Sequence, residues 1–107
     1  MKKEIKGEKY IYLLMGYERA KQGKKLKTEQ YASIGNDNGM KGGFNFWRSF
    51  AIQTYKGKTL LRETKSSKAC ADYSRYFEVN DNKDNSRVYI YEALNESGEN
   101  LSVRWEH

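Results

Sequence analysis

The chain has 107 residues, a net charge of +6 and 37% hydrophobic residues. That length supports one domain, residues 1–107, and excludes two. One cysteine, Cys70, excludes an internal disulfide, and with the only histidine, His107, it supplies too few ligands for a zinc site.

A hydrophobic fraction this low is also found in chains that never collapse. The aromatic content argues for a fold: nine Tyr, four Phe and two Trp make up 14% of the chain. They fall in alternating runs. Tyr and Trp bury large areas while keeping a polar tip for water, so a thin, aromatic-rich core is expected. There is no proline, so glycine marks the turns.

Residues 1–7 read as a charged, flexible lead-in. Tyr10–Arg19 reads as a first strand, with Ile11, Leu13, Met15 and Tyr17 on one face. Gly23 is expected to supply a positive φ in the turn that follows. Lys25–Ile34 reads as the second strand. A helix over 18–31 competes, because Glu18-Arg19-Ala20-Lys21 favours helix, but no apolar stripe of helical period supports it.

The segment Gly35–Gly43 is rich in Gly and Asn and reads as a connection. Phe44–Tyr55 and Lys58–Thr64 form a hairpin across Lys56-Gly57. Ser66 or Ser67 is placed to cap a short helix, with Cys70, Tyr73 and Phe77 along one face. Asn80–Ser86 is a polar turn. Arg87–Leu94 and Leu101–Trp105 form a last hairpin around Asn95–Asn100. The expected fold is mostly β, of the α+β class: about six antiparallel strands in a bent sheet or small barrel, with one short helix around 66–77.

Charge is unevenly distributed along the chain. Residues 1–75 carry 17 Lys and Arg against 7 Asp and Glu, whereas residues 76–107 carry 3 against 7. In an antiparallel meander the turns near Gly23 and at Lys56-Gly57 leave the sheet at the same end. That end is expected to gather Lys21, Lys24, Lys25, Lys27, Lys56 and Lys58, a surface suited to phosphates. Trp47 beside Arg48 and Tyr55 beside Lys56 are candidates for stacking on unpaired bases. The expected partner is nucleic acid, or an acidic or nucleoprotein partner. The acidic turn with Glu96 and Glu99 is expected in a separate lobe.

Signals for catalysis are few. His107 ends the chain, where a side chain is rarely held firmly enough for general base work. The glycines and Lys41 of residues 35–43 lack P-loop spacing and a following Ser or Thr. Asn80, Asn82 and Asp84 begin like a calcium loop, but Asn85 and Tyr91 stand where glycine and glutamate are required. No cofactor or metal is expected. The lack of a disulfide framework and of an apolar leader points to a cytoplasmic protein without a membrane span.

Three function classes follow. The first is a small non-enzymatic binding protein of the phage or mobile-element type, engaging nucleic acid or a nucleoprotein through the basic hairpin end. The second is a protein-directed inhibitor of a host defence system, anti-CRISPR-like, acting through an aromatic patch ringed by charge. The third is a small basic ribonuclease toxin, for which Arg62, Glu63, Arg75 and Tyr76 offer suitable residue types. The order strand, Lys56-Gly57-Lys58 turn, strand, then Ser-Lys-x-x-Ala segment, between Trp47 and Tyr73, resembles the sheet-plus-helix outline of arm-type DNA-binding domains in phage integrases. It is an analogy of shape.

Overall fold

The structure, a computed structural model, describes residues 2–25, 30–36, 46–67 and 73–104; of these, 24–25, 30–36, 46–48, 66–67 and 104 are described by backbone alone. One helix, α1 (Glu8–Gln22), precedes the strands β1 (Lys24–Lys25), β2 (Gln30–Asn36), β3 (Phe46–Tyr55), β4 (Lys58–Ser67), β5 (Tyr73–Asn82), β6 (Arg87–Glu92) and β7 (Val103–Arg104). The sheet runs β1-β2-β3-β4-β5-β6, with β7 paired to β5. Every pairing is antiparallel.

The class is therefore mostly β, α+β. The body of the sheet is four strands, β3–β6, so six overstates it. The sheet stays open: no pairing joins β1 to β6 among the described residues, and a closed barrel is excluded.

Two elements differ from expectation. Tyr10–Arg19 lies in α1 and not in a strand. The apparent alternation of Ile11, Leu13, Met15 and Tyr17 is broken by burial. Leu13 and Tyr17 are buried, whereas Ile11 is 58% and Met15 48% exposed. The face that is buried, Leu13, Gly16, Tyr17 and Ala20, has helical spacing. Good helix formers fill the rest of the segment. Glu8 in the first turn and Arg19 and Lys21 in the last complement the helix dipole. Gly23 accordingly caps the helix with φ −74°, donating to the Ala20 carbonyl at 3.2 Å, and supplies no positive φ.

The second difference concerns the helix expected around 66–77. Ser66 and Ser67 end β4, and 73–77 begin β5; residues 68–72 lie outside the described set. Phe77 and Val79 are buried on one face of β5 and Ser74 on the other. This period-two pattern, in a segment rich in Tyr, Phe and Val, outweighs a possible Ser cap.

One face of the sheet packs on α1. Phe50, Leu61, Phe77, Val79 and Ile90 meet Leu13, Tyr17 and Ala20 there. The close approach requires Gly16, because a Cβ at that position would lie 2.6 Å from the Phe50 ring. Tyr12 meets the same ring edge-on, with centroids 5.4 Å apart. The other face carries Tyr55, Lys58, Leu60, Tyr76, Glu78, Tyr89 and Tyr91, as the cross-strand register requires. Residues 93–103 cross part of it.

Residues read as a lead-in run along the outer edge of β6. Ile5 N donates to the Ile90 carbonyl at 2.8 Å, and Glu92 N to the Lys3 carbonyl at 2.9 Å. The Tyr10 hydroxyl reaches the Val88 carbonyl at 2.7 Å. An edge that could template further strand pairing is thereby occupied. The expected last hairpin is only partly formed. Leu101 N bonds to the Ala93 carbonyl, but Val103 and Arg104 pair with Ser74 and Tyr73 of β5.

Candidate functional site

The β3–β4 turn is built as the sequence predicts. Tyr55 pairs with Lys58, and Lys56 and Gly57 have φ 50° and 79°. Positive φ at both central positions matches the twist of a tight hairpin, and Gly57 adopts it without strain. The register then fixes what shares this end of the sheet. Lys25 pairs with Gln30 and Gln30 with Ile52, so the β1–β2 connection leaves the sheet on the Tyr55 side. Thr59 pairs with Val79, so the β5–β6 turn leaves there too.

Among the nine sequence-predicted site residues, Tyr55, Lys56 and Lys58 come together at this turn, and all are exposed. Lys21 lies in the last turn of α1, 2.9 Å from Glu18 and 3.5 Å from Asp81. Lys24 and Lys25 are placed by backbone on β1, and Lys27 lies outside the described residues. Trp47 and Arg48 sit at the opposite end of β3, where Trp47 pairs with Ser66. Eight residues of strand separate Trp47 from Tyr55, about 25 Å at strand rise, so they do not join the same patch.

The expected separation of basic and acidic lobes is overturned. Lys56 forms an ion pair with Glu96, across the chain's two charge halves. Lys2 reaches Glu78 at 2.7 Å and Arg87 reaches Glu4 at 3.6 Å. Hydrogen bonding to Glu96 raises the pKa of Lys56, and that to Glu18 raises the pKa of Lys21, so both stay charged at neutral pH. Antiparallel folding brings the acidic carboxyl-terminal third back over the basic remainder.

Sequence reasoning missed the aromatic residues of β6. Tyr89 and Tyr91 stack with centroids 6.4 Å apart and planes 14° apart. The Arg87 guanidinium lies 4.8 Å from the Tyr89 ring centre, and the Lys2 ammonium 5.7 Å from that of Tyr91. Lys56 sits 5.4 Å from the Tyr55 ring in the same manner. Asn80 pairs with Tyr89, so Tyr55, Lys58, Asn80 and Tyr89 follow one row across the sheet face. Three strand spacings of about 4.8 Å separate the outer two. The signal was present in the sequence as Arg87-x-Tyr89-x-Tyr91, one face of a strand.

Behind the turn lies a concavity of about 220 Å³. Its walls include Leu60, Ala93, Leu94 and Leu101, with Tyr55 and Glu78 beside them. The Lys56–Glu96 pair spans its mouth, joining the β3–β4 turn to the turn at Asn95. That second turn is held by Asn95 Oδ1, which accepts from the backbone of Ser97 and Glu99 at 2.9 Å each.

The four candidate ribonuclease residues do not converge. Arg62 pairs with Tyr76 on one face, and Glu63 with Arg75 on the other. Glu63 is buried beneath α1, where it accepts from the Tyr12 hydroxyl and lies 3.9 Å from Lys9. Arg75 Nε donates to the Tyr73 hydroxyl at 3.1 Å, which lowers the Tyr73 pKa. No metal-binding group of three or more His, Cys, Asp or Glu side chains occurs among the described residues. No described helix is long and apolar enough to cross a membrane. The chain matches no protein-family model, no curated protein and no solved structure.

Proposed function

We propose that this protein is a non-enzymatic binder of nucleic acid, or of a nucleoprotein, and that it engages single strands through the β3–β4 turn and the adjoining tyrosine row. One observation carries the reading: exposed Tyr55, Lys56 and Lys58 share a sheet face with the Arg87–Tyr89–Tyr91 stack. Cations track a phosphate backbone while aromatic faces accept bases irrespective of sequence. The carboxylates already paired with Lys56 and Lys2 are not an obstacle. These ion pairs are solvent-exposed on the lysine side, and such pairs hold weakly. A phosphate can replace the carboxylate.

Fluorescence anisotropy with labelled single-stranded RNA and DNA tests this. Binding is expected at low salt and should weaken linearly on a log–log salt plot. Replacing Lys56 and Lys58 together by Ala should lower affinity and reduce the salt slope by about two, one per lost phosphate contact. Absence of binding to either nucleic acid at low salt would overturn the reading.

A second reading, the protein-directed inhibitor, draws on a different observation. Tyr55 and Val103 are 42% and 39% exposed beside Leu60, Tyr76 and Leu101, around an apolar concavity of about 250 Å³. An aromatic anchor next to such a hollow is a recurrent interface feature. Affinity capture with and without nuclease treatment separates the two: a partner retained after nuclease favours this second reading.

A further inference from the structure

We infer that the concavity behind the Lys56–Glu96 pair receives one unstacked guanine base. The inference rests on the nucleic-acid reading and names the base it favours.

Size is the first constraint. Pockets for drug-sized ligands begin at about 300 Å³, and this one holds about 220 Å³. It suits a single planar heterocycle. Its walls supply apolar contact from Leu60, Ala93, Leu94 and Leu101, and the Tyr55 ring lies at the margin, where a base can stack.

Polarity selects among the bases. The acidic side chain set most deeply in the lining is Glu78, only 16% exposed and held at one oxygen by Lys2. A carboxylate accepts only, and its two oxygens offer about four lone-pair sites. One bond from Lys2 leaves it able to accept two more. Guanine presents two adjacent donors, N1–H and the N2 amino group, on its pairing edge. Adenine, cytosine and uracil each place an acceptor where one of those donors must stand, and an acceptor facing a carboxylate is repelled. Lys58, also at the lining, supplies a cation for the attached phosphate or for guanine O6. The mouth opens at little cost, because the Lys56–Glu96 pair is solvent-exposed, with side-chain exposures of 51% and 77%.

The test compares short adenine-rich single strands that differ only at one central position. The strand with guanine should bind about ten-fold more tightly than the other three, within the range a bidentate polar contact confers. Glu78→Gln replaces one acceptor by a donor and should erase that preference while leaving binding to the all-adenine strand. Lys2→Ala leaves the carboxylate in place and should keep the preference. Tyr55→Ala should weaken all strands alike. Equal binding of the four strands overturns the guanine inference and leaves the broader reading standing, as does a preference that survives Glu78→Gln. Failure of every strand to bind overturns both.

Discussion

The two faces of the sheet are built from the same strands and do opposite things. Beneath α1, alternate residues are apolar and sealed: Phe50, Leu61 and Ile90 have no exposed surface, and Gly16 lets the helix approach so closely that no Cβ fits. On the other face the alternate residues include Tyr55, Lys58, Glu78, Tyr89 and Tyr91, half in water and linked by cation–ring contacts and exposed ion pairs. A strand's period of two lets one sequence write both faces. Tight packing makes the first intolerant of change. Adjustable charge and aromatic surface leave the second free to meet a partner.

Substitutions should divide along this line. Phe50→Ala removes a fully buried ring and should cost about 3–5 kcal/mol, seen as a lower midpoint in denaturant unfolding. Gly16→Ala should cost about 1–3 kcal/mol through overpacking, because the added Cβ meets the Phe50 ring at 2.6 Å. Combining it with Phe50→Leu should recover part of that loss. A purely additive pair would show that the contact does not govern the helix position.

Tyr17 gives a pH-dependent version of the same test. Burial, then its 2.9 Å hydrogen bond to Asp81, raises its pKa above the ordinary value. The native state thus holds a proton that the unfolded chain releases near pH 10. Stability from this group is fully present below about pH 10 and is lost as pH rises beyond it. Tyr17→Phe should cost about 1 kcal/mol near neutrality and flatten the alkaline decline measured by thermal unfolding. Last and smallest in stability is the Lys56→Ala, Lys58→Ala pair, which should leave the melting temperature unchanged while weakening nucleic-acid binding. A large drop in melting temperature would move these lysines from the binding surface to the scaffold.

Legibility in the sequence followed the strength of local signals. The Lys56-Gly57 hairpin was readable because glycine in a two-residue turn between alternating runs has few other uses. The β3, β4 and β6 segments followed from it. The first element was misread because Ile11, Leu13, Met15 and Tyr17 satisfy a period of two, while the partners that decide burial, Phe50 and Leu61, lie far along the chain. The segment at 73–77 was misread because Cys70, Tyr73 and Phe77 also fit helical spacing, and only pairing with β4 resolves the ambiguity. Of the site, Tyr55, Lys56 and Lys58 were legible through their turn. The contribution of Lys2, Glu78 and the β6 tyrosines depends on which strands lie side by side, which no local pattern encodes.

The most direct test of a binding face opposite the helix is an amide chemical-shift titration of the whole protein with a short single strand. Shifts should concentrate at residues 55–58, 78 and 87–91 and leave the buried positions 50, 61 and 77 nearly unmoved. Shifts confined to the helix, or to the far end around Tyr73 and Asn100, would contradict the account.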